Sequence, residues 1–174
     1  GSVLAGGSFT LTSLLDGAHA YLCQAGLSGE ASLRILHVAP YSADAWAYGG
    51  IARLAGTLTR GLARRGHSVT FCTTDVCDAS TRLGRKPGVG VFRAWPLIQT
   101  TDRVELRVFP NVSNRLAYHQ QAFLPLGLNG FLKRHARSFD IAHLHACRNL
   151  PGAIAAHHLR QAGVPYVLAP NGTA

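Results

Sequence analysis

The stretch LRILHVAP (33–40) is a short, mostly apolar run closed by Pro40, the pattern of a buried parallel strand. A loop running from Tyr41 to the pair Gly49-Gly50 follows it. Apolar residues then recur at Ile51, Leu54, Ala55, Leu58, Leu62 and Ala63, and this spacing predicts a helix over 51–65 with one buried face. Gly66 stops that helix, with Arg64 and Arg65 in its last turn. SVTFCTT (68–74) is β-branched and aromatic and predicts a second strand. Together these segments make one βαβ unit with a right-handed crossover.

The same alternation continues to the end of the chain. Residues 75–90 are rich in Gly, Pro, Arg and Ser and read as an exposed loop, while 91–97 read as a short strand. VELRVF (104–109) reads as a better strand, ended by Pro110. Ser113 is placed to cap a helix that runs to about Arg137 with a break at Pro125. DIAHLH (140–145) predicts a strand, 152–161 a helix stopped by Gly163, and VPYVLA (164–169) a further strand with Pro170-Asn171-Gly172 as its exit turn. Strands alternating with helices predict an α/β, doubly wound and mainly parallel sheet with helices on both faces. Residues 1–31 stand apart. Leu11, Leu14, Leu15, Ala18, Tyr21 and Leu22 line one face of an amphipathic helix ending near Gly26, suited to packing on the sheet, on a partner or on a membrane. The expected organisation is therefore an N-terminal extension, 1–31, and one domain, 32–174.

Composition narrows the class. A chain of 174 residues with 47% hydrophobic and 14% charged residues is a core-former, not a disordered segment. Its apolar runs are too short for a transmembrane helix, and the first 30 residues lack the basic start of a signal peptide. The four cysteines (Cys23, Cys72, Cys77 and Cys147) form no CxxC pair, and a reducing cytoplasm is the simplest setting for them. The net charge of +9 attracts polyanions: nucleic acid, anionic lipid headgroups or a diphosphate. Arg60–Arg64–Arg65 and Lys133–Arg134–His135–Arg137 concentrate it, each at the end of a predicted helix. Cations there also complement the helix dipole, so capping and binding both remain open readings.

In open α/β sheets, ligands bind beyond the carboxyl ends of the strands. After the first strand, Gly49 and Gly50 lead into a helix N-terminus, where bare backbone N–H groups approach a phosphate closely. After the second comes Asp75, where a dinucleotide fold holds ribose, but the required GxGxxG is missing and a nicotinamide site is disfavoured. Near the end of the DIAHLH strand, alternation puts His143 and His145 on one face, with His145 nearest the tip. A metal would need further ligands, and none is evident in the pattern, so no metal site is assigned. A histidine at a strand tip instead serves a sugar hydroxyl or a phosphate oxygen. Phosphate-loop, nucleophile-elbow and HExxH patterns are absent. The two glutamates, Glu30 and Glu105, have no partner carboxylate placed for glycoside hydrolysis.

These features together form a recognisable set. RILHVAP (34–40), GGIAR (49–53) and LARRGHSVTFCTT (62–74) resemble the opening of family 4 (group 1) glycosyltransferases. FDIAHLH (139–145) resembles that family's F-D-[IV]-[VI]-H-x-H strand, and GVPYVLAPNGT (163–173) its G-[IV]-P-[YV]-V-x-x-P-[HN]-G-T segment. The resemblance runs in order over roughly 33–174, while 1–31 do not match the family opening.

It implies the N-terminal, acceptor-side, Rossmann-like half of a retaining GT-B enzyme. Such an enzyme moves a sugar from a nucleotide sugar, without a metal or other cofactor, to a glycan or lipid-linked acceptor. The implied setting is bacterial polysaccharide or glycolipid synthesis, in the cytoplasm or on the inner face of the membrane. Gly49 and Gly50 would approach the donor diphosphate, and His145, Asn171 and Gly172 would line the sugar pocket. Arg53, Arg64, Arg65, Lys133, Arg134 and Arg148 are candidates for the acceptor or an anionic surface. Many relatives carry histidine where Asn171 stands, and an amide cannot titrate near neutrality; no residue is therefore assigned to proton transfer. The donor half, with its E-x7-E segment, is expected to be missing from this chain, which would leave it inactive alone. The alternative is a non-catalytic module that binds polyanions or membrane. A nucleic-acid role is disfavoured, since the aromatics are not interleaved with the basic clusters as stacking platforms.

Overall fold

The computed structural model describes residues 32–42, 45, 48, 50–83, 97–101, 103–146 and 148–170. The expected N-terminal helix therefore lies outside the described residues, as do 84–96, Gly49, Cys147, Asn171 and Gly172. Leu33–Ala174 forms one compact unit, and the description below concerns it.

Six strands, β1 (Arg34–Val38), β2 (Ser68–Thr74), β3 (Leu97–Thr101), β4 (Val104–Phe109), β5 (Ile141–His145) and β6 (Tyr166–Ala169), form one sheet in the order β3-β4-β2-β1-β5-β6. All pairs are parallel except β3–β4. Within the segment expected as a strand over 91–97, only Leu97 is described, and it opens β3, which turns back antiparallel on β4 at the sheet edge. The chain steps outward from β1 to β2 and β4, then returns to β5 on the other side of β1. The direction of winding thus reverses between β1 and β5, the topological switch point of a Rossmann-like sheet.

Helix α1 (Gly50–Arg64) packs on one face of the sheet, where Ala55 meets Ala39 and Phe71, with Leu106 against the same cluster. Helices α3 (Leu128–His135) and α4 (Leu150–Ala162) cover the other face, burying Leu36, Val38, Ala142 and Leu144 against Phe131, Leu132 and Leu159. The doubly wound expectation is met.

The long helix expected after Ser113 is two helices. Ser113 caps α2 (Asn114–Gln120), its side chain accepting from the Leu116 N–H. The break comes at Gln121 (φ 54°), ahead of Pro125, which bridges back to Asn111. A proline sets the limit of a helix, but here the backbone leaves the helix four residues earlier to make that pairing. The turn after β2, expected to be an exposed loop, is pinned at its base. The buried Asp75 carboxylate pairs with Arg82 at 2.9 Å and accepts the Asn111 N–H at 2.8 Å, and Arg82 also donates to the Asn111 carbonyl.

At the opposite, amino edge of the sheet, the Leu33 N–H donates to His67 Nδ1. The histidine of the RGH motif thereby ties the start of β1 to the turn before β2. Arg34 and Asp140 pair across the starts of β1 and β5.

Candidate functional site

The carboxyl ends of β1 and β5 define a crevice whose parts come from three places in the sequence. β1 leads to Pro40, α1 begins at Gly50, and β5 runs into the turn 146–149 before α4. That turn holds two non-glycine residues in left-handed conformations, Ala146 (φ 65°) and Arg148 (φ 56°). Such geometry costs of order 1–2 kcal/mol per residue and persists only where surroundings enforce it. Asn149 braces the turn at Ala146. Its side-chain oxygen caps α4 by accepting from the Gly152 N–H at 2.7 Å, and its amide donates to the Ala146 carbonyl at 2.9 Å. A side chain on residue 152 would stand 3.1 Å from the Asn149 oxygen, so glycine there leaves the cap its room.

Gly50 opens α1, and a Cβ built on it meets nothing within 4 Å. Packing within the described chain therefore does not demand glycine at this position. The bare helix start is instead suited to close approach by a ligand from outside the fold.

His145, expected at the strand tip, is fully buried, and so is His37 of β1. His37 Nδ1 and His145 Nε2 lie 3.0 Å apart, and the two rings stack with centroids 5.2 Å apart. His143 is directly beside His37 in the parallel register, and its ring centroid is 4.0 Å from that of His145. Burial drives all three imidazoles toward the neutral form: His37 is pushed down to about 3, His143 to about 4 and His145 to about 2. Mutual repulsion of the charged rings adds to the effect at His37 and His145. The sequence reading paired His143 with His145 but left out His37, which comes from a strand over a hundred residues away. Its only local signal was a polar residue inside an otherwise apolar buried strand.

A second cluster joins the loop beyond β1 to the segment that follows β4. Tyr41 and Tyr48 stack at 4.7 Å, and both meet Phe123. Tyr118 of α2 meets Tyr48 edge-on and is 42% exposed, giving this cluster an outer aromatic surface. The Tyr48 hydroxyl is buried without a partner, and burial together with Asp78 raises it to about 12.

The six basic candidates do not gather at the crevice. Arg53 lies in the first turns of α1 and Arg148 in the β5–α4 turn, both exposed near the carboxyl edge. From Arg53 to Arg64 the helix advances roughly 16 Å. Arg64 and Arg65 therefore lie at the amino edge, just before β2 begins. Lys133 and Arg134 stand in the last turn of α3, before the 3-10 turn Ala136–Ser138 that leads to β5. The separation follows from βαβ geometry, in which each helix runs against the strands and ends where the next strand starts. Gly49, Asn171 and Gly172 lie outside the described residues.

A search of curated proteins finds no match to the chain. Residues 49–174 match the family described as glycosyl transferase 4-like domain, a span that begins at the Gly49-Gly50 pair and takes in α1, β5 and the whole β5–α4 turn; the chain belongs to that family.

Proposed function

We propose that this domain is the acceptor-side half of a retaining GT-B glycosyltransferase, which moves a sugar from a nucleotide sugar to a glycan or glycolipid acceptor. The observation that carries this reading is the family match over 49–174, which begins beyond β1 at the start of α1 and takes in β5; a Cβ built on Gly50, where α1 starts, meets nothing within 4 Å. A helix start of this kind favours a diphosphate, because its unpaired N–H groups and dipole both face the anion. The aromatic surface of Tyr118 and the partly buried Tyr48, backed by the buried Phe123, is the wall this reading gives to the acceptor. Arg53 and Arg148, at the same edge, supply positive charge there.

By itself the domain has negligible transfer activity. Neutralising the diphosphate and orienting the donor sugar supply much of the stabilisation in such chemistry, and this reading assigns them to a second domain. Incubation of the purified chain with a panel of labelled nucleotide sugars and lipid-linked or oligosaccharide acceptors tests this. No product is expected from the chain alone, and product is expected from a longer protein that adds a donor domain. Turnover by the chain alone sinks the division of labour.

The basic amino edge favours one further part of the reading, attachment to an anionic membrane surface. Arg64, Arg65, Lys133 and Arg134 are all exposed there, and among the described residues no helix is long and apolar enough to cross a membrane. Sedimentation with vesicles containing anionic lipid should decline as salt rises. Binding that is indifferent to salt would remove the electrostatic part of the proposal.

A further inference from the structure

The buried histidines of β1 and β5 have an arrangement that sugar transfer does not require. One ring nitrogen from each of His37, His143 and His145 lies within 4.8 Å of the other two. His37 Nε2, His143 Nε2 and His145 Nδ1 are buried without any hydrogen-bond partner. Leaving such a group unsatisfied is destabilising, and nothing in apolar packing calls for three of them together. The contact between His37 and His145 does not resolve this. Each neutral imidazole carries one N–H, so whichever ring donates across the 3.0 Å contact, an unpaired donor and an unpaired acceptor remain on the outer nitrogens.

We propose that His37, His143 and His145 form a three-imidazole binding site for a divalent transition-metal ion, zinc by preference. Two separations and one absence of ligand type carry the choice. Nitrogens around a tetrahedral zinc stand roughly 3.3 Å apart, given Zn–N bonds of about 2.05 Å. The facing nitrogens, His37 Nδ1 and His145 Nε2, are already at 3.0 Å, and a nitrogen of each ring lies within 4.8 Å of the other two; an ion held between them replaces the shared proton and leaves the outer ring nitrogens as N–H donors. Imidazole is a borderline ligand that suits zinc, copper, nickel and cobalt. Among the described residues no carboxylate joins the group, which disfavours magnesium and calcium. Cys72 does not join it either, because its thiol lies in the apolar cluster on the opposite face.

The electrostatics agree with the geometry. A metal needs neutral rings, and burial holds all three neutral throughout the physiological range. Three protein ligands leave a fourth position for water or a ligand oxygen. The site does not rest on the transferase reading and is not offered as a part of sugar transfer.

The test uses the untagged chain, stripped with chelator and titrated with Co2+, followed by competition with Zn2+. The expected result is a single equivalent bound, the intense visible bands of tetrahedral cobalt, and a Tm that rises with Zn2+ concentration. His143→Gln, at the least buried of the three, should weaken binding by more than about 100-fold, beyond the loss caused by removing an outer-sphere partner. His157→Gln, on the exposed side of α4, should leave binding unchanged. Should the His143 variant fail to fold, imidazole nitrogen NMR of the unaltered chain with Zn2+ identifies the ligating rings directly. Saturation only above about 1 mM, octahedral cobalt spectra, full binding by the His143 variant, or coordination by other histidines would each overturn the proposal.

Discussion

On β1, Leu36 and Val38 enter the apolar cluster beneath α3 and α4, while His37 between them turns to the face that carries α1. β5 repeats the pattern, with Ala142 and Leu144 on the first face and His143 and His145 on the second. One sheet thus presents a packed hydrocarbon surface on one side and, on the other, a group of neutral imidazoles of which two are buried and His143 is half-buried. The strands and the register are the same; only the parity of the residue differs. The first face supplies stability through burial and close packing. The second gives up part of that gain to unpaired polar groups, an expense characteristic of sites that bind something.

The difference is open to measurement, and the largest effect belongs to the packed face. Leu36→Ala should destabilise the fold by about 2–5 kcal/mol in urea unfolding. The metal-free double variant His37→Leu/His145→Leu, which removes both partners of the contact, should stay within about 1.5 kcal/mol of the parent. Equal losses on both faces would erase the contrast.

Acid should expose the histidine face next. Unfolded imidazoles titrate near 6.5 and the folded ones well below, so between those values the unfolded state binds more protons. Stability is then fully present above about pH 6.5 and falls as the pH drops through 6 and 5 toward the folded values near 4, 3 and 2. Each ring contributes up to about 1.4 kcal/mol per pH unit. The metal-free double leucine variant should show a shallower dependence of urea midpoint on pH, and an unchanged slope would assign the acid sensitivity to other groups.

Smaller effects sharpen the boundary where β5 leaves the sheet. Asn149→Ala should cost about 1 kcal/mol through the lost α4 cap, read as a lower thermal midpoint. Arg148→Gly, which relieves a left-handed arginine, should hold stability or raise it by up to about 1 kcal/mol. If the same change also lowers acceptor affinity in a transfer-competent protein, the strain is kept for the ligand; unchanged affinity would count against a role for Arg148 in the crevice. At the amino edge, Arg64→Ala with Arg65→Ala should change stability by less than about 0.5 kcal/mol per site, while reducing vesicle binding at low salt.

Much of this fold was readable along the chain, because its signals are local. The apolar run closed by Pro40, the helical spacing that ends at Gly66 and the cap at Ser113 each involve residues within one or two turns of one another. The misreadings share a cause. The helix breaks at Gln121 because Asn111 pairs with Pro125, and the turn after Asp75 is pinned because Asp75 reaches Asn111. In both cases a partner outside the local window decided the backbone.

Sequence alone determined the alternation of strands and helices, the family and the shared face of His143 and His145, since periodicity and motif order are properties of a line. Only the tertiary structure decided that β5 returns beside β1 and lays His143 next to His37. It also sent the two basic helix ends to the edge away from the crevice. Strand order is set by which faces can be buried together, and no single segment carries that information. The three imidazoles become one site because the chain reverses its winding between β1 and β5.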